Sequence, residues 1–297
     1  MEIKKVQVLM STYNGERFLV EQIESLLNQT WQNLEILIRD DGSRDKTTDI
    51  LRQYGADYKN IRIFPEENRG ISASFFELLK RSDADYVAFC DQDDIWLEGK
   101  IEAAVGKLEQ ETGPALYCSN KILVDSDGVP MAKQDNRRRI PGFGNAVVEC
   151  ICTGCTAVMN RKMADIIAAK LPQHAILHDW WSYLVASYAG KVIFDERAFI
   201  KYRQHEENVV GGGAGFWSEV RLKAAYLRKN RGRLKAQLTD FADLYHGDGE
   251  KDALVQEVLA AKHFSGKIKI LWNRRIYRQS RLDGLIMRML FLFGKML

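Results

Sequence analysis

Short apolar runs alternate with amphipathic segments along the first hundred residues, and this alternation limits the possible folds more than any other feature. Four apolar runs have the length and the bounding turns of buried strands: 6–12, 34–39, 61–64 and 86–90. The segments between them place apolar residues at helical spacing, as in 18–29, 45–54 and 71–80. Repeated strand–helix alternation predicts an α/β fold with a largely parallel sheet and helices on both faces.

Acidic residues directly follow two of the predicted strands. Asp40 and Asp41 come after the second strand, and residues 91–94 (DQDD) come after the fourth. The carboxyl ends of parallel strands meet at one sheet edge, where open α/β sheets bind their ligands. Two aspartates one residue apart can hold a hard divalent cation that also binds phosphates, although Asp91 or Asp94 could instead cap the next helix. With the 11–15 turn at the same edge, we expect a nucleotide site there.

Residues 97–205 continue the α/β pattern less regularly. A helix is predicted after Trp96 as far as about residue 111, where Gly113 and Pro114 end it. The other predicted elements are strands at 115–118, 156–159, 191–194 and 199–203, a hairpin turn at 125–128, a mobile basic loop at 133–146, and helices at 161–170 and from about 178. These elements complete one domain over residues 1–210.

Four motifs occur in the order expected of a known enzyme family. They are STYNG at 11–15, QTW at 29–31, DDGSRD at 40–45 and DQDDIW at 91–96. Over residues 5–205 the chain resembles the inverting family 2 glycosyltransferases, which have a GT-A fold. The motifs NRG at 68–70, GCT at 154–156, HDWW at 178–181 and YRQHEEN at 202–208 are most similar to bacterial rhamnosyltransferases that build cell-surface polysaccharide.

The resemblance implies how the donor is held. The residues that would bind the nucleotide are Ser11, Thr12, Tyr13, Asp41 and Asp91. Asp93 would bind Mg²⁺ or Mn²⁺, and His205 would complete the metal shell or touch the diphosphate. Without the resemblance, Asp41 could be a turn or cap residue, Tyr13 a half-buried aromatic and His205 an ordinary surface or core residue.

The resemblance also implies a catalytic base and possible substrate contacts. Asp179 would take the proton of the incoming hydroxyl, and inversion needs only this one carboxylate. Asp179 alone could equally be an N-cap of the helix that begins nearby. Residues that would contact the donor sugar or the acceptor are Asn68, Arg69, Trp180, Trp181 and Arg203. The expected donor is dTDP-rhamnose or a UDP-sugar, and the expected acceptor is a lipid-linked glycan or other oligosaccharide.

The charge distribution separates the end of the chain from the rest. Residues 216–297 contain 17 Lys or Arg and 8 Asp or Glu, whereas residues 1–215 have a balance of −6. A glycine run at 211–215 lies between them and is typical of a flexible connection. Basic residues interleaved with Trp, Tyr and Phe at 267–297 are typical of a helix at an anionic membrane surface, and a solvated helical face is the alternative. The lipid-linked acceptors that the resemblance implies favour the membrane surface. No nucleic-acid module is recognisable.

Composition and cysteine content indicate the class of protein and the kind of compartment in which it occurs. With 46% hydrophobic and 28% charged residues, the chain is globular rather than disordered. Five cysteines favour a reducing compartment. Cys150, Cys152 and Cys155 are close in the sequence, but three thiols with no nearby histidine make a poor zinc site, so we expect them to be small buried thiols. No signal peptide or spanning segment is recognisable. We therefore expect a cytoplasmic protein, and the lipid-linked acceptor implied by the resemblance favours the inner face of the membrane.

The alternatives are two other enzyme activities and one non-enzymatic function. An Asp-nucleophile phosphatase or phosphotransferase needs Asp-x-Asp-x-Thr, but Ile95 occupies the Thr position. A sugar-nucleotide pyrophosphorylase should have a Gly-rich, Arg- or Lys-bearing first turn in place of STYNG. A membrane-recruited protein that binds a sugar nucleotide without catalysis is the non-enzymatic alternative.

Overall fold

The computed structural model describes residues 3–132, 134, 138–204 and 232–297. Its single sheet has eight strands: β1 Val6–Thr12, β2 Leu34–Asp40, β3 Ile61–Pro65, β4 Tyr86–Cys90, β5 Ile95–Trp96, β6 Ala115–Val124, β7 Val158–Asn160 and β8 Lys191–Arg203. Their spatial order is β3-β2-β1-β4-β7-β6-β8-β5. The pairs β3–β2, β2–β1, β1–β4 and β6–β8 are parallel, and the other three are antiparallel.

Helices pack on both faces of this sheet, as the alternation predicted. They are α1 Leu19–Leu27, α2 Thr47–Asp57, α3 Ile71–Arg81, α4 Lys100–Leu108, α5 Phe143–Ala146, α6 Arg161–Ala169, α7 His178–Ala189, α8 Arg233–Leu244, α9 Gly249–Ala260, α10 Phe264–Trp272 and α11 Arg281–Leu292. Two hydrophobic clusters separate the layers, one containing α1 and α4, the other α3, α6 and α7. The predicted α/β fold is confirmed.

The β1–β4 region follows its predicted bounds closely. β4 is buried along its whole length and pairs in parallel with β1, from Val6 opposite Tyr86 to Met10 opposite Cys90. Strands buried on both faces of a sheet are mostly apolar, which is why the continuous apolar run at 86–90 marked β4. The carboxyl ends of β1, β2 and β4 consequently reach the same edge.

The structure corrects two local predictions and confirms a third. The strands predicted at 191–194 and 199–203 form one continuous strand, β8, whose pairing with β6 shifts register near Ser119 and Asn120. Bulges of this kind interrupt the apolar alternation without ending a strand. Residues 143–146, predicted as loop, form the short buried helix α5. The predicted turn at 125–128 does lead into a hairpin, with Asp125 and Val129 bonded through their backbones.

The described part of the C-terminal segment packs on the catalytic core. Phe241 and Tyr245 contact Trp181 of α7 in edge-to-face geometry at centroid distances of 5.8 and 6.0 Å. Helices α8–α11 also contribute to the hydrophobic cluster that contains α3 and α7. The glycine run 211–215 and the start of the basic segment 216–297, up to residue 231, lie outside the described residues. No helix within the described ranges is both long and apolar enough to cross a bilayer.

Candidate active site

An open cleft of about 990 Å³ lies at the carboxyl edge of β1, β2 and β4. This volume suits a ligand of sugar-nucleotide size. Of the residues singled out in the sequence, the cleft is lined by Ser11, Tyr13, Asp41, Asn68, Asp91, Asp93, Asp179, Trp180 and Arg203. The topology therefore brings together residues that are up to 192 positions apart in the chain.

The loops after β1, β2 and β4 are joined by side chain–backbone hydrogen bonds. The Gln92 amide bonds both the N–H and the C=O of Tyr13, at 2.8 and 3.1 Å. A Cβ at Gly15 would lie 2.4 Å from the Gln92 amide oxygen, so a larger residue there would displace this bridge. Asn14, at a φ of 48°, accepts from the Arg44 N–H, and its own N–H donates to the Ser43 hydroxyl. The two motif turns are thus set in one fixed arrangement.

Asp41 is a buried carboxylate held by three donors. Its side chain accepts from the Arg69 N–H at 2.8 Å, from the Gly70 N–H at 2.9 Å and from the Arg39 guanidinium. Burial opposes ionisation, but the Arg39 ion pair and the two backbone donors hold the pKa of Asp41 below its usual value. Asp41 therefore presents an ionised acceptor to the cleft.

Asn68 and Arg69 contribute differently from one another. The Asn68 side chain lines the cleft. Arg69 acts through its backbone N–H, while its guanidinium lies outside the cleft lining, 3.7 Å from Glu77. The Arg69 side chain therefore does not line the cleft in which a substrate would bind.

Of the three aspartates after β4, two line the cleft and one is buried. Asp91 and Asp93 line the cleft, whereas Asp94 is 1% exposed and turns inward. Possible ligand atoms of Asp91, Asp94 and Cys155 lie within 4.8 Å of one another. Burial, then the charges of Asp94, Asp93 and Asp179, raises the pKa of Asp91 well above its usual value. A divalent cation beside Asp91 and Asp93 would relieve this repulsion, so the donor set fits Mg²⁺ or Mn²⁺.

Asp94 and Arg203 hold the acidic turn in place. The Arg203 N–H donates to the Asp94 carboxylate at 3.0 Å, and its Nε donates to the Asp93 carbonyl at 2.9 Å. The guanidinium also donates to the Ser126 carbonyl and pairs with Glu21. Because Arg203 is only 2% exposed and these contacts occupy its nitrogens, it positions the acidic turn at the cleft wall.

Asp179 lies in the first turn of α7 and faces the cleft. Its carboxylate accepts from the Gly154 N–H at 3.0 Å and from its neighbour Trp180 N–H at 2.6 Å. Burial raises its pKa to about 6, partly offset by these two donors and by the Lys121 charge. A carboxylate with such a pKa is largely ionised at neutral pH and still a useful proton acceptor. The cap predicted as the alternative is absent from this helix, whose N-cap is Leu177.

His178 is buried behind Asp179. Its ring stacks on Phe75 at a centroid distance of 3.8 Å and meets Phe89 edge-on at 4.9 Å. Neither ring nitrogen has a hydrogen-bond partner among the described residues. Burial lowers its pKa to about 3, so the ring is neutral at physiological pH.

Lys121 is a cleft residue that the sequence analysis missed. It lies on β6, where its ammonium donates to the Thr153 hydroxyl at 3.1 Å and sits 3.7 Å from the centre of the Tyr202 ring. Burial raises the pKa values of Asp91, Asp94 and Asp179, and the Lys121 charge partly offsets this rise. A single Lys in a strand carries no motif signal, and only tertiary structure brings it to the carboxylates.

Two predicted contacts lie away from the cleft. Thr12 is fully buried, and its hydroxyl donates to Asp40 at 3.0 Å, so it supports the turn instead of lining the cleft. Trp181 is also fully buried and packs on α8, so it joins the core. Trp180 does line the cleft, with its indole N–H bonded to the Ala146 carbonyl at 2.7 Å. His205 lies outside the described residues.

The clustered cysteines are small buried thiols, as predicted. Cys152 and Cys155 are buried, Cys150 is partly buried, and none forms a disulfide. Burial raises the pKa of Cys155 well above its usual value, so it remains a neutral thiol. A neutral thiol is a poor ligand for a hard cation, which favours the open Asp91 and Asp93 side for a metal.

Comparison with known proteins now identifies the family. Residues 7–167 match the model described as "Glycosyl transferase family 2". The chain belongs to this family. This glycosyltransferase is 30% identical to the dTDP-rhamnosyl transferase RfbG of Shigella flexneri, over 96% of this chain and 100% of that protein. The predicted GT-A fold and the likeness to rhamnosyltransferases are confirmed.

Solved structures support the same fold for this glycosyltransferase. Residues 1–349 of S. aureus TarS in complex with UDP-GlcNAc match with a TM-score of 0.61 and 16% identity, over 98% of this chain and 79% of that one. The mannosyltransferase PcManGT from Pyrobaculum calidifontis, in complex with GDP-Man and Mn²⁺, matches with a TM-score of 0.57 and 16% identity, over 99% and 86% of the two chains. At these identities the likeness establishes the fold alone.

Proposed function

We propose that this glycosyltransferase transfers rhamnose from dTDP-rhamnose, with inversion, to a hydroxyl of a lipid-linked cell-surface glycan. The observation that carries this proposal is the full-length relation to a dTDP-rhamnosyl transferase, combined with a cleft that gathers the matching motifs. The site has an ionised acceptor at one end in Asp41 and a carboxylate of pKa about 6 in Asp179. A UDP-sugar donor is the second candidate, because TarS is a structural neighbour in complex with UDP-GlcNAc.

The nucleotide is proposed to lie between the turns after β1 and β2. Asp41 would accept the imino hydrogen of a pyrimidine base, and Tyr13, which is 47% exposed, offers a ring face on which the base can stack. Ser11 and Asn68 line the same end of the cleft. Asp91 would then meet the ribose, which leaves Asp93 nearest the diphosphate.

Asp93 would hold the cation, with Asp91 beside it. A divalent ion there would stabilise the negative charge that develops on the departing diphosphate. Lys121 supplies a fixed positive charge to the same carboxylate group, and Arg203 keeps the Asp93 backbone in position. His205 stays a candidate for this site through the family resemblance.

Asp179 is proposed to take the proton of the incoming hydroxyl. Its two backbone donors orient the carboxylate, and its raised pKa suits proton transfer near neutral pH. Trp180 lines the cleft beside it and offers an aromatic surface for a sugar ring. A lipid-linked acceptor would place the reaction at the inner face of the membrane.

A donor panel tests the proposal. Purified protein is incubated with dTDP-rhamnose, UDP-GlcNAc, UDP-glucose or GDP-mannose, with Mg²⁺, Mn²⁺ or EDTA, and thermal stabilisation and nucleotide release are measured. We expect the largest stabilisation and turnover with dTDP-rhamnose plus metal. Turnover with a UDP-sugar alone would favour the second candidate. Stabilisation by a donor with neither release nor transfer would favour a binding protein.

A further inference from the structure

Two helices near the end of the chain carry stripes of exposed apolar side chains. On α10, Phe264, Ile268 and Trp272 recur every four residues and are 75%, 38% and 81% exposed. The matching set on α11 and its C-cap consists of Leu282, Leu285, Ile286, Met289 and Phe293. Residues three, four and seven apart share one face of a helix, so each set forms a continuous stripe. We call these two sets the tail stripes.

The tail stripes belong to a packed helix pair. Ile270 of α10 and both Met287 and Phe291 of α11 are at most 1% exposed, so each helix buries its other face. Arg288 of α11 donates to backbone carbonyls at the end of α10, including that of Leu271 at 2.5 Å. A cation at a helix C-terminus is favourable and satisfies its last carbonyls. The stripes are therefore the outer surface of a fixed structure.

The charge of the segment that carries the tail stripes is mostly positive. Residues 261–297 contain nine Lys or Arg and a single acidic residue, Asp283. Lys269 and Arg274 are exposed beside Trp272, and Arg281 and Lys295 are exposed at the two ends of α11. Exposed apolar stripes flanked by cations complement the surface of an anionic bilayer, where Trp also partitions favourably.

The helix pair is also connected to the cleft. Arg278, between α10 and α11, and Lys295 and Met296, after α11, line the same cleft as Asp179. Arg278 is anchored there by Glu149 at 3.2 Å. The segment that carries the tail stripes therefore also forms part of the cleft wall, so docking of this segment would fix the position of the cleft.

We infer that the tail stripes dock on an anionic lipid bilayer and so bring the cleft to a membrane-held acceptor. This inference deepens the proposed function, because it rests on the lipid-linked acceptor for its purpose. A second copy of the chain is a poorer occupant, since pairing two such surfaces would bring like charges together. The stripes and their cations match the interfacial helix arrangement, in which apolar burial and charge attraction act together.

Vesicle sedimentation of the full chain, without donor or acceptor, tests the inference. Vesicles of phosphatidylcholine are compared with vesicles that also contain phosphatidylglycerol, at low and at high salt. We expect binding that requires phosphatidylglycerol and weakens with salt. The triple variant Trp272→Gln, Leu282→Gln, Leu285→Gln should bind at least ~10-fold more weakly, because it removes apolar area from the interface. Equal binding to both vesicle types, or none, would overturn the inference.

A charge pair supplies the matched control. The double variant Lys269→Glu, Arg274→Glu should lower vesicle binding by at least about five-fold for each lost cation. Lys59→Glu, Lys107→Glu changes the net charge equally on exposed sites of the catalytic core and should bind as the native chain does. Equal loss in both doubles would show attraction by net charge alone and would contradict a docking face.

Two further measurements separate the possible failures. Sedimentation velocity without vesicles should show a monomer, whereas a dimer that the triple variant abolishes would identify a second copy as the occupant and overturn the inference. Nucleotide release from the donor, measured on the same variants with a soluble acceptor, should be unchanged. A chain that binds vesicles but transfers no rhamnose would contradict the proposed function and leave the docking face supported.

Discussion

The Asp179 carboxylate accepts a hydrogen bond from the Gly154 backbone N–H at 3.0 Å. This contact links the first turn of α7 to the 3₁₀ turn at Gly154–Thr156, which packs against the end of β4. The proposed base is therefore oriented by backbone, with its distance to the acidic turn set by the sheet. Its position depends on there being no side chain at residue 154.

Gly154→Ala should lower transfer while leaving the fold intact. The new Cβ would lie 2.8 Å from Nε2 of the buried His178 ring, so the ring and Asp179 must shift. Misplacement of a catalytic group by about 1 Å can cost on the order of 10²-fold in rate. Initial rates with saturating donor measure this effect. Gly106→Ala in α4, where no atom lies within 4 Å of the new Cβ, is the matched control and should keep full activity.

Asp179→Asn should abolish most transfer and preserve donor and metal binding. The amide keeps the shape of the side chain but cannot accept a proton, and loss of a general base typically costs 10²–10⁴-fold in rate. Single-turnover rates and calorimetric titration of the donor separate the two effects. Asp57→Asn, on the exposed end of α2, controls for the loss of a charge. An active Asn variant would remove Asp179 from the role of base.

The pH dependence of kcat/KM should show an acidic limb near pH 6. Burial raises the pKa of Asp179 to about 6, and the base must be ionised to accept a proton. Activity is thus present above pH 6 and falls tenfold per pH unit below it. The Asp179→Asn variant, assayed at higher enzyme concentration, should lack this limb. A native profile that stays flat down to pH 5 would contradict the assignment.

Arg39→Met should destabilise the fold and weaken donor binding together. Arg39 is fully buried, and without it the buried Asp41 carboxylate loses its ion-pair partner and keeps only two backbone donors. Breaking a buried ion pair costs about 3–5 kcal/mol. Urea unfolding measures the stability and thymidine diphosphate titration measures the binding. Arg62→Met removes the half-exposed partner of Glu35 and should cost less than about 1 kcal/mol. Similar losses for both variants would argue against a special role for the Arg39–Asp41 pair.

Local pattern was enough to predict the β1–β4 half of the sheet and the residues at its edge. Each strand there is short and rich in apolar residues, and the motif turns after β1, β2 and β4 follow their strands directly. Lys121 could not be found this way, because its importance comes from packing β6 beside the carboxylates. The burial of Trp181 is likewise a tertiary fact, since it depends on α8, more than 50 residues later in the chain.

Arg69 and Arg203 show that sequence alone is also insufficient to predict how a polar motif residue acts. Their motifs mark a functional region, but sequence does not reveal whether the guanidinium or the backbone makes the contact. In the structure, Arg69 contributes its N–H to Asp41, and Arg203 uses both its backbone and its side chain to hold Asp93 and Asp94. Motif residues can thus serve a site by supporting the groups that touch the ligand.

His178→Phe should make the stability of the protein less sensitive to acid. The folded-state pKa of His178 is lowered to about 3, below its unfolded value of about 6.5, so the unfolded chain binds a proton first as the pH falls. Stability is therefore unaffected above pH 6.5 and is lost below it, by up to about 1.4 kcal/mol per pH unit. Phe keeps the stacking on Phe75 and cannot be protonated. Urea unfolding of native, His178→Phe and exposed-site His246→Phe proteins between pH 7 and 4.5 checks this. Parallel curves for all three would show that His178 is not buried as a neutral ring.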